Sequence, residues 1–193
     1  MKIILASKSP RRRKMFEDLK IPFEVFSADT DENIDTSLPP EMIVKELAKR
    51  KAESASRILN ESDHLVIGSD TVVYGNGIIL GKPENDAHAF EMLKSLSDKE
   101  HYVYSGVCAV YNGKTVCDFE KTTVKFRPIS DREIEKYIAT GEHRDKAGSY
   151  GIQENGGYFV EYVNGDINNV VGMPVYKLRN MVLSSFGIDL FDM

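Results

Sequence analysis

At 193 residues, with 41% hydrophobic and 28% charged side chains, the chain has an ordinary globular composition, which excludes a disordered or fibrous protein. A net charge of −5 argues against general nucleic-acid binding, where a basic footprint supplies most of the affinity, so any anionic ligand must be held locally. Apolar runs stay well short of the ~20 residues a membrane helix needs, and the opening Met1-Lys2-Ile3-Ile4-Leu5-Ala6-Ser7-Lys8 turns polar too early for a signal peptide, so a cytoplasmic protein without a membrane partner is expected.

The length suits one domain spanning 1–193, since no period of roughly 20 to 50 residues recurs and no low-complexity linker interrupts it. In chain order, Ile3-Ile4-Leu5-Ala6 reads as a buried strand, and Ser9 before Pro10 as the N-cap and first residue of a helix running to about Leu19. A second helix follows Pro39-Pro40 and ends near Asn60, with Val44, Leu47, Ala48, Ala55 and Ile58 on one apolar face. The run from Leu65 to Tyr74 breaks at Gly75-Asn76-Gly77 and resumes at Ile78-Ile79-Leu80, which predicts a hairpin. A helix is expected over roughly Asp86 to Leu96, then a second hairpin from Val103–Tyr111 and Lys114–Phe126.

Ser130 and Glu133 have the spacing of a capping box for a helix ending before Gly141. Tyr158 to Val163 reads as a strand, and Pro174 to Phe186 as a last helix closed by Gly187. Hairpins mixed with helices predict an α/β domain with a mixed sheet. Cys108 and Cys117 flank the Asn112-Gly113 turn, where a two-residue loop sets them opposite each other; with no metal-ligand spacing, they are expected to be reduced strand cysteines.

Several residues break this pattern. At Ser7-Lys8-Ser9-Pro10-Arg11-Arg12-Arg13 a strand hands over to a helix whose free N–H groups and dipole favour an anion. Arg12 falls on the stripe of Met15, Phe16 and Leu19, so it needs a partner, which a solvated basic patch does not supply; Arg13 is a second candidate and Arg11 reads as surface. Lys51 shares the apolar face of the second helix, where it either snorkels or meets a phosphate.

Asp70, in Gly68-Ser69-Asp70-Thr71-Val72-Val73, puts a carboxylate in a run that otherwise reads as a buried strand. It points to a general base or a metal ligand, against a structural aspartate bonded to backbone or arginine. Across the turn, Gly81-Lys82-Pro83 returns to the level of Asp70 and Thr71, which places Lys82 beside the carboxylate either as a phosphate ligand or as a cross-strand ion pair.

The acidic stretch Asp29 to Asp35 lacks the glycine and glutamate of a calcium-binding hand, leaving a carboxylate-rich loop able to share a magnesium ion with Asp70. In Asp145-Lys146-Ala147-Gly148-Ser149-Tyr150-Gly151-Ile152-Gln153, the glycines allow close backbone approach, Tyr150 can pack against a ring, and Gln153 has the donor and acceptor that suit a pyrimidine edge.

Taken together, Ala6-Ser7-Lys8-Ser9-Pro10-Arg11-Arg12, Glu32, Lys51-Ala52, Gly68-Ser69-Asp70-Thr71-Val72-Val73, Leu80-Gly81-Lys82-Pro83, Asp145-Lys146-Ala147-Gly148 with Tyr150-Gly151-Ile152-Gln153, and Asn169-Val170-Val171-Gly172-Met173-Pro174 resemble the Maf family of nucleotide pyrophosphatases from residue 3 to about 187. The resemblance implies a fold like that of the inosine triphosphate pyrophosphatases, two lobes around a cleft, and hydrolysis of a nucleoside triphosphate to monophosphate and pyrophosphate. At Arg12, Thr71 and Gln153 the chain is similar to the branch acting on dTTP and UTP, with modified pyrimidine nucleotides as house-cleaning substrates. It departs at Gly165-Asp166-Ile167-Asn168, where a glycine-serine-tyrosine-serine run is the family form.

The implied mechanism has Mg2+ or Mn2+ on Glu32 and Asp70, with Ser7, Arg12, Arg13, Lys51, Thr71, Lys82 and Gln153 binding substrate and Asp70 accepting the proton of the attacking water. A homodimer is compatible with this reading. The rival is a non-catalytic nucleotide-binding regulator of cell division. Asp70 argues against it, because a carboxylate ~4 Å from a phosphate charge costs a pure binder about 4 kcal/mol at an effective dielectric of 20.

Overall fold

The computed structural model describes residues 1–60 and 63–193. Along them run β1 (Lys2–Leu5), α1 (Pro10–Asp18), β2 (Glu24–Val25), α2 (Pro40–Leu59), β3 (His64–Gly75), β4 (Ile78–Leu80), α3 (Asp86–Leu96), β5 (Glu100–Tyr111), β6 (Lys114–Phe126), α4 (Asp131–Ala139), β7 (Val160–Asn164), α5 (Ile167–Val171) and α6 (Val175–Phe186). The described strands form a seven-stranded sheet in the order β2-β1-β3-β5-β6-β7, with β4 added to β3. β1 runs parallel to both β2 and β3, whereas β3–β4 and β6–β7 are antiparallel, so the mixed α/β sheet expected from the sequence is borne out.

The chain divides into two compact units. The first comprises Met1–Asp70, Ser105–Glu120 and Gly172–Met193. Its core sets small residues of α2, Ala48, Ala52 and Ala55, against Ile4, Val66, Cys108 and Val110. Glycines make that approach close: a Cβ on Gly68 would lie 2.4 Å from the Ala48 carbonyl oxygen, and one on Gly106 would lie 2.2 Å from that of Val44. Two apolar residues placed on buried faces by periodicity are exposed instead, Leu19 and Ile58, because each lies in the last turn or just beyond the end of its helix. Cys108 and Cys117 are joined in a disulfide, not left as thiols, since the hairpin sets them directly opposite at a Cα separation of 4.1 Å.

The second unit comprises Thr71–Tyr104 and Lys121–Val171. Leu93, Leu96, Phe126, Ile134 and Phe159 are buried at its centre. The capping box of α4 forms as expected, with Ser130 and Glu133 exchanging side chain to backbone bonds. Glu133 also accepts from Arg127, and these contacts hold its carboxyl down at about 2. The strand expected from Tyr158 starts at Val160, because Asn155–Phe159 coil into a 3-10 turn. Short α5 has no counterpart in the sequence reading, being too brief to show a helical period.

Tyr150, which the sequence offers as a stacking platform, is buried in this core, its ring 4.7 Å from that of Phe126 and its hydroxyl 2.8 Å from Nε2 of His101. Burial pushes the His101 imidazole down from 6.5 to about 4. The unfolded chain therefore takes up a proton at higher pH than the folded one. The stability from keeping His101 neutral is complete above pH 6.5 and is lost as pH falls toward 4, by roughly 3 kcal/mol. Urea unfolding at a series of pH values should show this one-proton component in the native protein and not in His101→Phe. Identical pH profiles for the two would contradict it.

Candidate active site

In the first unit, the turn from β1 to α1 places Ser7 and Arg12. Ser7 is buried, and its Oγ accepts from the Ser9 backbone N–H at 3.2 Å and faces Arg12 Nη1 at 3.4 Å. Ser9 occupies the N-cap position of α1 but makes no side-chain capping bond, and Pro10 opens the helix as expected. Arg12 points inward as its spacing requires, and Nε donates to the Gly172 carbonyl at 2.8 Å. Burial pulls its guanidinium pKa below its ordinary value, while the charge of Asp70 opposes the shift. Arg13, next to it in α1, is exposed.

The close approach of α2 to Gly68 brings Lys51 to Asp70, two residues further along β3. Lys51 Nζ lies 2.6 Å from Asp70 Oδ1 and 2.7 Å from Glu32 Oε1. Lys51 and Asp70 are mostly buried, whereas Glu32 is exposed. Three predicted residues thus meet at one point, with carboxylates from the acidic loop and the sheet converging on a single cation. Within this unit the lysine that pairs with Asp70 is Lys51.

Sequence reasoning misses two supports of this cluster. Arg50 donates to the Asp31 carbonyl at 3.2 Å and the Asn33 carbonyl at 2.8 Å, fixing the backbone on either side of Glu32. Ser69 Oγ donates at 3.0 Å to the same Gly172 carbonyl that receives Arg12. Their only trace in the sequence is proximity to Lys51 and Asp70.

In the second unit, the two-residue Asn76-Gly77 turn pairs Gly75 with Ile78 and Val73 with Leu80. The ladder stops there, and its register continued places Lys82 across from half-buried Thr71. Lys82 is exposed, and the turn carrying it is tied down by a 3.0 Å bond from Gly148 N–H to the Gly81 carbonyl. Gly148 has φ +67°, and a Cβ there would press within 3.0 Å of Val73, so the glycine is required on both counts. Gln153 projects from its loop into solvent.

Such groups define an α/β protein with an inward arginine at a helix start, suited to an anion, and a carboxylate pair suited to a proton or a hard cation. The chain belongs to the Maf family: the family model for Maf-like proteins matches residues 2–185. It is 48% identical to a dTTP/UTP pyrophosphatase of Caldicellulosiruptor saccharolyticus, covering 98% of this chain and 96% of that protein. It is 46% identical to a dTTP/UTP pyrophosphatase of Bacillus cereus, over 98% of this chain and 97% of the other. Among solved structures it is similar in part to the Ham1 protein of Staphylococcus aureus, with a TM-score of 0.48 and 17% identity over 65% of this chain and 72% of that one.

Proposed function

We propose that this protein hydrolyses dTTP and UTP, and modified pyrimidine nucleotides of the same shape, to the monophosphate and pyrophosphate, in the cytoplasm. Family membership and the names of nearly full-length relatives support the reaction class. The observation that carries the reading to particular residues is the convergence of Glu32 and Asp70 on Lys51, in the unit where Arg12 turns inward.

The cluster fits a divalent cation. Two carboxylates already lie within 2.7 Å of one positive centre, and magnesium is commonly held by one or two carboxylates together with substrate phosphates and water. Among the described residues no group of three His, Cys, Asp or Glu side chains gathers at one point, so substrate oxygens would complete the coordination. Glu32 and Asp70 would hold the ion, Mg2+ or Mn2+. When bound it would supply charge to the phosphate oxygens and acidity to water.

The chain's own residues then divide the work. Arg12, Arg13, Lys51 and Lys82 neutralise the triphosphate oxygens, Ser7 and Thr71 also bind the substrate, and Gln153 meets the base. Asp70 takes the proton of a water that attacks the α-phosphorus, and the bond to the bridging oxygen breaks to release pyrophosphate. Positioning and electrostatics supply most of the rate. Pyrophosphate release measured with magnesium across the common nucleoside triphosphates should give the highest kcat/KM for dTTP and UTP. A preference for a purine triphosphate, or no release from any nucleotide, would overturn the reading.

A further inference from the structure

Lys146 is nearly fully buried at 7% exposure, a position lysine rarely takes without partners. Its ammonium has three acceptors: the Glu142 carbonyl at 2.6 Å, Asp145 Oδ1 at 3.1 Å and Glu154 Oε2 at 3.0 Å. These match its three N–H donors, so Lys146 is committed to the protein and is poorly placed to bind a phosphate. Two of the acceptors precede or adjoin it, and the third lies immediately after Gln153.

The same loop is held elsewhere too. Gly151 N–H donates to Tyr137 Oη at 3.3 Å, and the Lys146 stem runs so close beneath Gly151 that a Cβ there would lie 2.5 Å from Cε. Ile152 packs against the core of the second unit. Beyond Gln153, Asn155 N–H donates to Glu142 Oε2 at 3.1 Å, its side-chain amide donates to Oε1 of the same carboxylate, and Gly156 packs against Gly151 backbone. Gln153 is thus an exposed side chain on a backbone clamped before and after it, by residues that Lys146 and Glu142 tie together.

We infer that Lys146, with Glu154, is a positioning residue for base selection: it sets the orientation from which Gln153 presents its amide to the pyrimidine edge. This rests on the reading of Gln153 as the residue that meets the base. Uracil and cytosine differ at that edge by exchange of a donor and an acceptor, and a glutamine free to turn over satisfies both. Selection therefore depends on a fixed loop. A mere contribution to stability would weaken every substrate alike.

The test compares kcat/KM for UTP and CTP, which share a sugar and a triphosphate, in the native protein, Lys146→Met, Glu154→Ala, Gln153→Ala and the double variant Lys146→Met/Gln153→Ala. Inhibition by tripolyphosphate is measured in each as a probe that has no base. Methionine preserves the stem under Gly151 and removes the ammonium. Glu154 is exposed enough that its loss leaves the fold intact even where Lys146→Met does not fold. The expected result is a UTP-over-CTP preference reduced about tenfold in Lys146→Met and less in Glu154→Ala, the scale of one charged hydrogen bond, with tripolyphosphate inhibition unchanged and no further loss in the double variant. A native preference in the folded variants, alongside a changed ranking in Gln153→Ala, would overturn the role of Lys146. So would an equal loss for UTP, CTP and tripolyphosphate. An unchanged ranking in Gln153→Ala instead removes the base-reading role of Gln153 itself, and the inference falls with it.

Discussion

Asp70→Asn should lower turnover at least about 10²-fold, the usual scale for a positioned acid or base, while the protein remains folded. Asparagine has the same shape but cannot take a proton from water. The carboxylate it replaces stands at the end of the buried run Leu65 to Ser69, 2.6 Å from the Lys51 ammonium. Retention of the fold is expected because Lys51 keeps its second partner, Glu32, at 2.7 Å, so the substitution does not strand a buried charge. Single-turnover rates and circular dichroism on the same sample separate the two effects. Near-native turnover in a folded variant would sink the assignment of Asp70 as base.

Arg12→Ala should reduce kcat/KM by about 10²-fold through a raised KM and a lowered kcat together, since the triphosphate is charged in both ground and transition states. The fold survives the loss because the Gly172 carbonyl, which receives Arg12 Nε, also receives the Ser69 hydroxyl at 3.0 Å. Lysine at this position should not restore activity. Only the planar guanidinium can spend Nε on a carbonyl while its terminal nitrogens project in a fixed plane. Steady-state kinetics with dTTP on Arg12→Ala and Arg12→Lys, beside their melting temperatures, decide the matter. A drop in stability with unchanged kinetics would make Arg12 a structural arginine.

Much of this protein is legible in its sequence because the signals are local. Pro10, Pro40, Gly187 and the Ser130–Glu133 box mark helix ends through the chemistry of a few adjacent residues, and the Asn76-Gly77 and Asn112-Gly113 turns are set by backbone conformation. Arg12 and Asp70 stand out for a related reason: a charged residue in an apolar pattern is costly to bury, so its presence announces a partner. What that partner is lies beyond local pattern. Glu32, Lys51 and Asp70 are brought together only because Gly68 has no side chain and α2 can lie directly on β3. The same holds for the Gly172 carbonyl that receives Arg12 from 160 residues away, and for Lys146 under Gly151. Short β2 and α5 escape prediction because two to five residues carry too little period to register. Elements with their own propensity and punctuation are written in the sequence, whereas the pairing of charges across distant segments depends on close packing, which exists only once the backbone has folded.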